Sequence, residues 1–287
     1  MRYAETALVF GEPGARLVGV LTTPEAPSPS GDLGVVVVVG GPQYRVGSHR
    51  QFVLLARDLA VAGFPVLRFD YRGMGDAEGE PATFEDTAPD IQRALAQLLR
   101  QCPQVRRVVL WGLCDGASAA LLYLQPDGDE RIVGVCLLNP WVRTVTGLAR
   151  AQVRHYYGQR LFEREFWRKL VSGQADIGAM VRELAHKLTT IIAGRSGGGK
   201  NSDETYPARM AQGLKKGGGQ VLLVLSGRDL VAQEFIDHTA ADPRWRAALA
   251  APGVQRVDLP LADHTCSSAE WRGWVAQATV RWLGQFS

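Results

Sequence analysis

Apolar positions along the chain follow two different periods, and the two alternate. Glu5–Phe10 and Arg16–Thr22 read as strands separated by the turn-forming Gly11-Glu12-Pro13-Gly14, and a Pro/Ser/Gly loop covers Pro24 to Gly31. The run Gly34-Val35-Val36-Val37-Val38-Val39-Gly40 is continuous, β-branched and bounded by glycine, the pattern of a parallel strand buried on both faces. Helical spacing follows in Phe52, Leu54, Leu55, Leu59 and Ala62. Pro65–Tyr71 then reads as a strand, Asp86–Leu99 as a helix, Arg107–Trp111 as a strand, Asp115 onward as a helix and Ile132–Leu138 as a strand. The rhythm resumes with a strand at Gln220–Ser226, a helix around Ala232–Leu249, a strand at Gln255–Leu259 and an amphipathic helix, Ser268–Leu283. Strands alternating with helices predict right-handed crossovers and a largely parallel α/β sheet covered on both sides.

Between these stretches the rhythm breaks. Residues 143–210 are expected to be helical and carry a concentration of Arg, Tyr, Phe and Trp, including Tyr156, Tyr157, Phe162, Phe166 and Trp167, which could line an acyl pocket or form the insertion's own core. The low-complexity piece Ser196–Ser202 lies inside it and is expected to be a mobile loop. The expectation is one core domain, residues 1–142 and 211–287, carrying a helical cap insertion over 143–210. Gly194-Arg195-Ser196-Gly197-Gly198-Gly199-Lys200-Asn201 nearly spells a phosphate loop, but Asn201 stands where a magnesium-binding Ser or Thr belongs, and Pro207 soon follows.

Composition narrows the function classes. A chain of 287 residues with 46% hydrophobic and 21% charged residues has enough apolar surface for one large core, which excludes a disordered tail or a disulfide-stapled peptide. A net charge of +3, with basic and acidic residues interleaved, does not point to nucleic acid. The first residues lack the apolar stretch of a signal peptide, and Val35 to Val39 is too short to span a bilayer, so a cytoplasmic protein is the expectation. The four cysteines form no CxxC pair, and His49, His155, His186 and His238 show no metal-ligand spacing. No metal or organic cofactor is therefore expected. His49 is read as a helix-start residue, with substrate contact as the alternative.

The chemistry concentrates at Val108–Ala120, an apolar strand followed by Gly112-Leu113-Cys114-Asp115-Gly116 and a run of small residues opening a helix. Glycines two before and two after a nucleophile let strand and helix cross closely through a strained turn, lifting the side chain above the sheet edge. The positive end of the following helix dipole favours a thiolate there. Asp229 follows one later strand and His264 the next, so nucleophile, acid and histidine occur in chain order. In these roles His264 takes the thiol proton and returns it to the leaving group, while Asp229 holds the ring's tautomer. Asp229 could instead cap the next helix, and Asp237 and Asp263 are alternative acids. Asp263 ranks last because it adjoins His264 in sequence. The oxyanion hole is assigned to the Asp115 N–H together with Gly41 or Gln43, since Pro42 has no N–H. Cys266 is read as a spectator thiol, with a disulfide to Cys114 as the alternative.

With these residues the chain resembles the α/β-hydrolase superfamily over nearly its whole length, including Phe69-Asp70-Tyr71-Arg72-Gly73-Met74-Gly75-Asp76 after the fourth strand. That resemblance implies an eight-stranded, mostly parallel sheet flanked by helices, with a cap. Three stretches more narrowly resemble the bacterial exosortase A system-associated hydrolase 1 family: Gly40 to Arg50, Gly112 to Ser118 and Ala262 to Thr265. The narrower resemblance implies a Cys-His-Asp site and a cytoplasmic role near exopolysaccharide and protein-sorting systems. The expected substrate is a small acyl ester or thioester. Transfer to a sugar or amine acceptor and a turnover-deficient binding protein stay open, as does a homodimer.

Overall fold

A computed structural model describes residues 3–26, 31–40, 43–125, 128–142, 205–216 and 220–286. Eight strands form one sheet: β1 (Tyr3–Phe10), β2 (Leu17–Pro24), β3 (Leu33–Val38), β4 (Val66–Phe69), β5 (Arg107–Leu113), β6 (Ile132–Leu138), β7 (Gln220–Ser226) and β8 (Val254–Leu259). Their order across the sheet is β1-β2-β4-β3-β5-β6-β7-β8. The pairings β1/β2 and β2/β4 are antiparallel, and every later pairing is parallel. The expected mostly parallel α/β sheet is present.

The valine run shows how the layers are built. β3 lies between β4 and β5, with Val35 opposite Val109 and Val37 opposite Trp111. Side chains alternate across a strand, so Val36 and Val38 enter one apolar layer while Val35, Val37 and Val39 enter the other. The first layer is covered by α2 (Ala88–Gln101), α3 (Asp115–Tyr123), α4 (Tyr206–Lys216), α5 (Leu230–Ala241) and α6 (Pro243–Leu249). The second is covered by α1 (Gln51–Val61) and α7 (Ala269–Leu283).

The expected helix around Ala232–Leu249 is two helices. Pro243 has no N–H to donate and bars its predecessor from helical geometry. Asp242 accordingly turns extended (φ −98°, ψ 119°), and its carboxylate accepts a hydrogen bond from Arg244 N at 2.8 Å, capping α6. Helix α4 begins before residue 210, and its Gly213 rides against the Leu121 carbonyl of α3. A Cβ at 213 would lie 2.0 Å from that oxygen. The rest of the expected cap, residues 143–204, lies outside the described residues, as do its aromatics, His155, His186, the phosphate-loop look-alike and the Pro/Ser/Gly stretch 27–30. Among the described residues no helix is long and apolar enough to cross a membrane.

Candidate active site

The strand-to-helix turn after β5 holds Cys114 at φ 58° and ψ −125°, a conformation that side chains rarely adopt and that marks a constrained turn. Its neighbours explain why glycine flanks it. A Cβ on Gly112 would lie 2.5 Å from Ala117 N, and one on Gly116 would lie 2.4 Å from Val38 O. Gly40, beyond β3, is equally crowded, 2.5 Å from Leu113 O. Three backbone segments therefore meet at distances only glycine allows. The strand ladder extends into the turn, with Cys114 N donating to Leu138 O at 2.9 Å.

The Cys114 side chain is partly exposed, and all four cysteines are free thiols. The disulfide alternative between Cys114 and Cys266 is absent: Cys266 is buried, with its sulfur 3.9 Å from Ser226 Oγ.

Loops after β7 and β8 bring Asp229 and His264 to this turn. His264 Nδ1 lies 2.8 Å from Asp229 Oδ2, and Cys114 is near enough to the same ring to influence its protonation. Burial disfavours the imidazolium, but the bond to Asp229 and the nearby Cys114 outweigh it, so the pKa of His264 is raised from 6.5 to about 10.

Asp229 also caps α5, its carboxylate accepting from Val231 N at 3.0 Å and Ala232 N at 3.2 Å. The capping and histidine-holding roles, alternatives in the sequence, coexist in one residue. The other candidate acids are placed differently. Asp263 takes the backbone N–H of Ser267 at 2.9 Å and the Ser267 hydroxyl, and Asp237 lies along α5.

Of the expected oxyanion donors, Asp115 is the first residue of α3, directly after Cys114. Gln43 lies partly buried on the loop beyond β3, and Gly41 falls outside the described residues. That loop is anchored from below. Asp70 accepts the Arg45 backbone N–H at 2.6 Å and the Asp76 N–H at 3.1 Å, and it also pairs with the Arg45 guanidinium. Gly75 (φ 55°) passes over the Asp70 carboxylate at a separation that leaves no room for a Cβ. His49 does not start a regular helix. It sits exposed in a short 3₁₀ turn, Ser48–Arg50, with His49 and Arg50 both left-handed (φ 53° and 60°).

The sequence reading misses one group around the site. Asn139, just past β6, is fully buried and left-handed (φ 48°). Its side chain bonds Ser226 and the His264 carbonyl. Trp141 N donates to Cys114 O at 3.2 Å and to Ser118 Oγ at 3.0 Å. The available signal is a lone polar residue at the carboxyl end of an otherwise apolar strand, immediately before Pro140. Among the described residues no cluster of three or more His, Cys, Asp and Glu side chains is arranged to hold a metal ion.

Comparison with known proteins bears on the same architecture. Residues 35–278 match the model of the alpha/beta hydrolase family. The human protein ABHD12B is 30% identical over 117 residues, a match covering 39% of this chain and 31% of that protein. The chain thus spans about a third of the length of that relative. Among solved structures, an esterase of Pyrococcus furiosus superposes with a TM-score of 0.58 at 18% identity, covering 98% of this chain and 92% of its own. An alpha-beta serine hydrolase homologue from Coxiella burnetii gives 0.54 at 15% identity, covering 95% and 96%. An acylaminoacyl peptidase of Pyrococcus horikoshii gives 0.60 at 17% identity, covering 99% of this chain and 41% of that one. At such identities these structures speak to the fold alone, while the family match covers most of the chain: it belongs to the alpha/beta hydrolase family.

Proposed function

We propose that this protein hydrolyses a small ester or thioester through Cys114, His264 and Asp229. The observation that carries the reading is the His264 imidazole, bonded to Asp229 and close to the side chain of Cys114, which is held at positive φ on a strand-to-helix turn. Asp229 favours the protonated ring strongly enough to outweigh burial, so His264 takes the Cys114 thiol proton and holds it. Sulfur attacks the acyl carbon, and the carbonyl oxygen takes the developing charge beside the Asp115 N–H, assisted by Gly41 or Gln43. The tetrahedral species then collapses: the bond to the leaving oxygen or sulfur breaks, and that atom takes the His264 proton. A water molecule gives its proton to the now neutral His264 and attacks the thioester. The acid departs as the carbon–sulfur bond breaks, and the Cys114 sulfur takes its proton back from His264. Asp229 keeps the ring's orientation throughout. No step of this sequence calls on a metal or organic cofactor.

The esterase among the structural relatives supports the acyl-cleaving class. The three stretches resembling the exosortase A-associated hydrolases support a cytoplasmic role beside exopolysaccharide or protein-sorting systems, with a homodimer as the arrangement to test. The same site would transfer the acyl group to a sugar or amine if such an acceptor displaced water.

The test is intact-mass analysis after brief exposure to p-nitrophenyl esters and acyl-CoA thioesters of graded chain length, with and without amine and sugar acceptors. The wild type is expected to gain one acyl mass on Cys114. The Cys114→Ala variant is expected to gain none and to lose turnover by a factor on the order of 10⁴. A wild-type Cys114 that is silent to these esters and to iodoacetamide near neutral pH would overturn the proposal.

A further inference from the structure

The His264 ring is held by Asp229, but a ring turns with the backbone that carries it, and the His264 loop begins beyond the end of β8. A fixed reference for that loop comes from Asn139. This side chain is 0% exposed, and every polar group on it is bonded. Oδ1 accepts the Ser226 N–H at 2.8 Å, while Nδ2 donates to Ser226 Oγ at 3.0 Å and to the His264 carbonyl at 3.0 Å. The Asn139 backbone N–H donates to Val224 O at 3.0 Å. The partners also fix the amide's orientation. The Ser226 N–H needs an acceptor and the His264 carbonyl needs a donor, so a flipped amide would fail both.

Ser226 is the last residue of β7, three before Asp229. One carboxamide therefore ties the base of the Asp229 loop to the backbone of His264 itself. Two residues further on, the Trp141 N–H binds the Cys114 carbonyl. The segment from Asn139 to Trp141 thus touches the chain beside all three members of the proposed triad. The residue type suits the place. Asparagine tolerates left-handed backbone, and its amide offers a donor pair and an acceptor at this length. Aspartate would set an oxygen against the His264 carbonyl.

We infer that Asn139 is a positioning residue: its side-chain amide fixes the His264 backbone relative to the β7–Asp229 segment, and so sets the reach of the imidazole to Cys114. The inference rests on the hydrolase reading above, and its test separates the two. Asn139→Asp keeps the shape and loses the donor. Asn139→Gly suits the positive φ and loses the whole amide. Ser226→Ala removes one partner while leaving the bond to His264. Each is compared with the wild type by kcat and KM on p-nitrophenyl acetate, by the pH profile of kcat, by thermal unfolding and by ¹⁵N chemical shifts of the His264 ring.

Both Asn139 variants are expected to lose about 10²-fold in kcat with KM changed by no more than about threefold, since a displacement on the order of 1 Å costs that much. Their His264 nitrogen shifts should move toward those of an unbonded ring. Ser226→Ala should stay within about threefold of wild type in kcat and keep its ring shifts. If the Asn139 variants melt earlier but keep wild-type kcat per folded molecule and wild-type ring shifts, the residue only packs and the inference is overturned. An equal loss in Ser226→Ala would also overturn it. If the wild type forms no acyl adduct, the hydrolase reading fails alone, and the ring shifts still decide whether Asn139 holds His264.

Discussion

Asp229 carries two duties that a substitution can separate. Its carboxylate receives both the His264 Nδ1–H and two helix N–H groups. Asparagine is as good an N-cap as aspartate, so Asn in this place keeps α5 started while presenting a group that no longer fixes the imidazolium. Asp229→Asn is expected to cost on the order of 10⁴-fold in kcat while keeping the cap of α5, so the stability it loses is that of the His264 pairing. Asp229→Ala should add about 1 kcal/mol of destabilisation from the lost cap. Steady-state kinetics beside urea unfolding checks both. The histidine supplies a pH signature. Because its folded pKa is raised to about 10 from 6.5, its stabilisation is complete below about 6.5 and is lost as the pH rises through about 10. The gap in urea midpoint between wild type and His264→Ala should therefore be widest at mildly acidic pH and close as the pH climbs to 10.

At the scale of elements, the strands were legible because β-branched runs bounded by glycine have few other readings. Ile132–Leu138 and Gln220–Ser226 match their expected limits residue for residue. The long helix failed at Asp242-Pro243, where a local breaker was present but read through. Asp229 and His264 were legible from chain order and strand ends. Asn139 was not, because its partners lie 87 and 125 residues away and nothing local encodes them. The elbow's glycines were legible as a motif, and the structure adds the reason for each. At Gly112 the obstacle to a Cβ is backbone, which cannot swing aside. Gly112→Ala is expected to destabilise the fold by about 1–3 kcal/mol and to reduce Cys114 alkylation, read by chemical denaturation and by the mass of the iodoacetamide adduct.

Across the whole molecule, charged groups brace the face opposite the helices of the Asp229 loop. Arg68, 4% exposed on the central β4, donates to Glu5 of the edge strand at 3.0 Å and to the Arg45 carbonyl at 3.3 Å. Arg57 of α1 shares Glu5 at 2.6 Å. Arg45 in turn pairs with the buried Asp70 and with Asp76. This chain of pairs joins β1, α1, β4 and the loop beyond β3, and gives the Asp70-x-Arg72-Gly73-x-Gly75 segment a structural purpose. Asp76 still pairs with Arg45 without Asp70, but the Arg45 and Asp76 backbone N–H groups lose their buried acceptor, so Asp70→Ala should cost about 3 kcal/mol. Adding Arg45→Ala should cost less than the sum of the two single changes, a coupling that a double-mutant cycle in urea measures. Finally, the distribution of sulfur makes the protein its own reporter. Cys102, Cys136 and Cys266 are buried, with burial pushing each thiol's pKa up, whereas Cys114 reaches solvent. A thiol reagent therefore meets one sulfur in the native protein and four in the unfolded chain. The number of labels acquired in a short pulse counts unfolded molecules directly, without an engineered dye or tag.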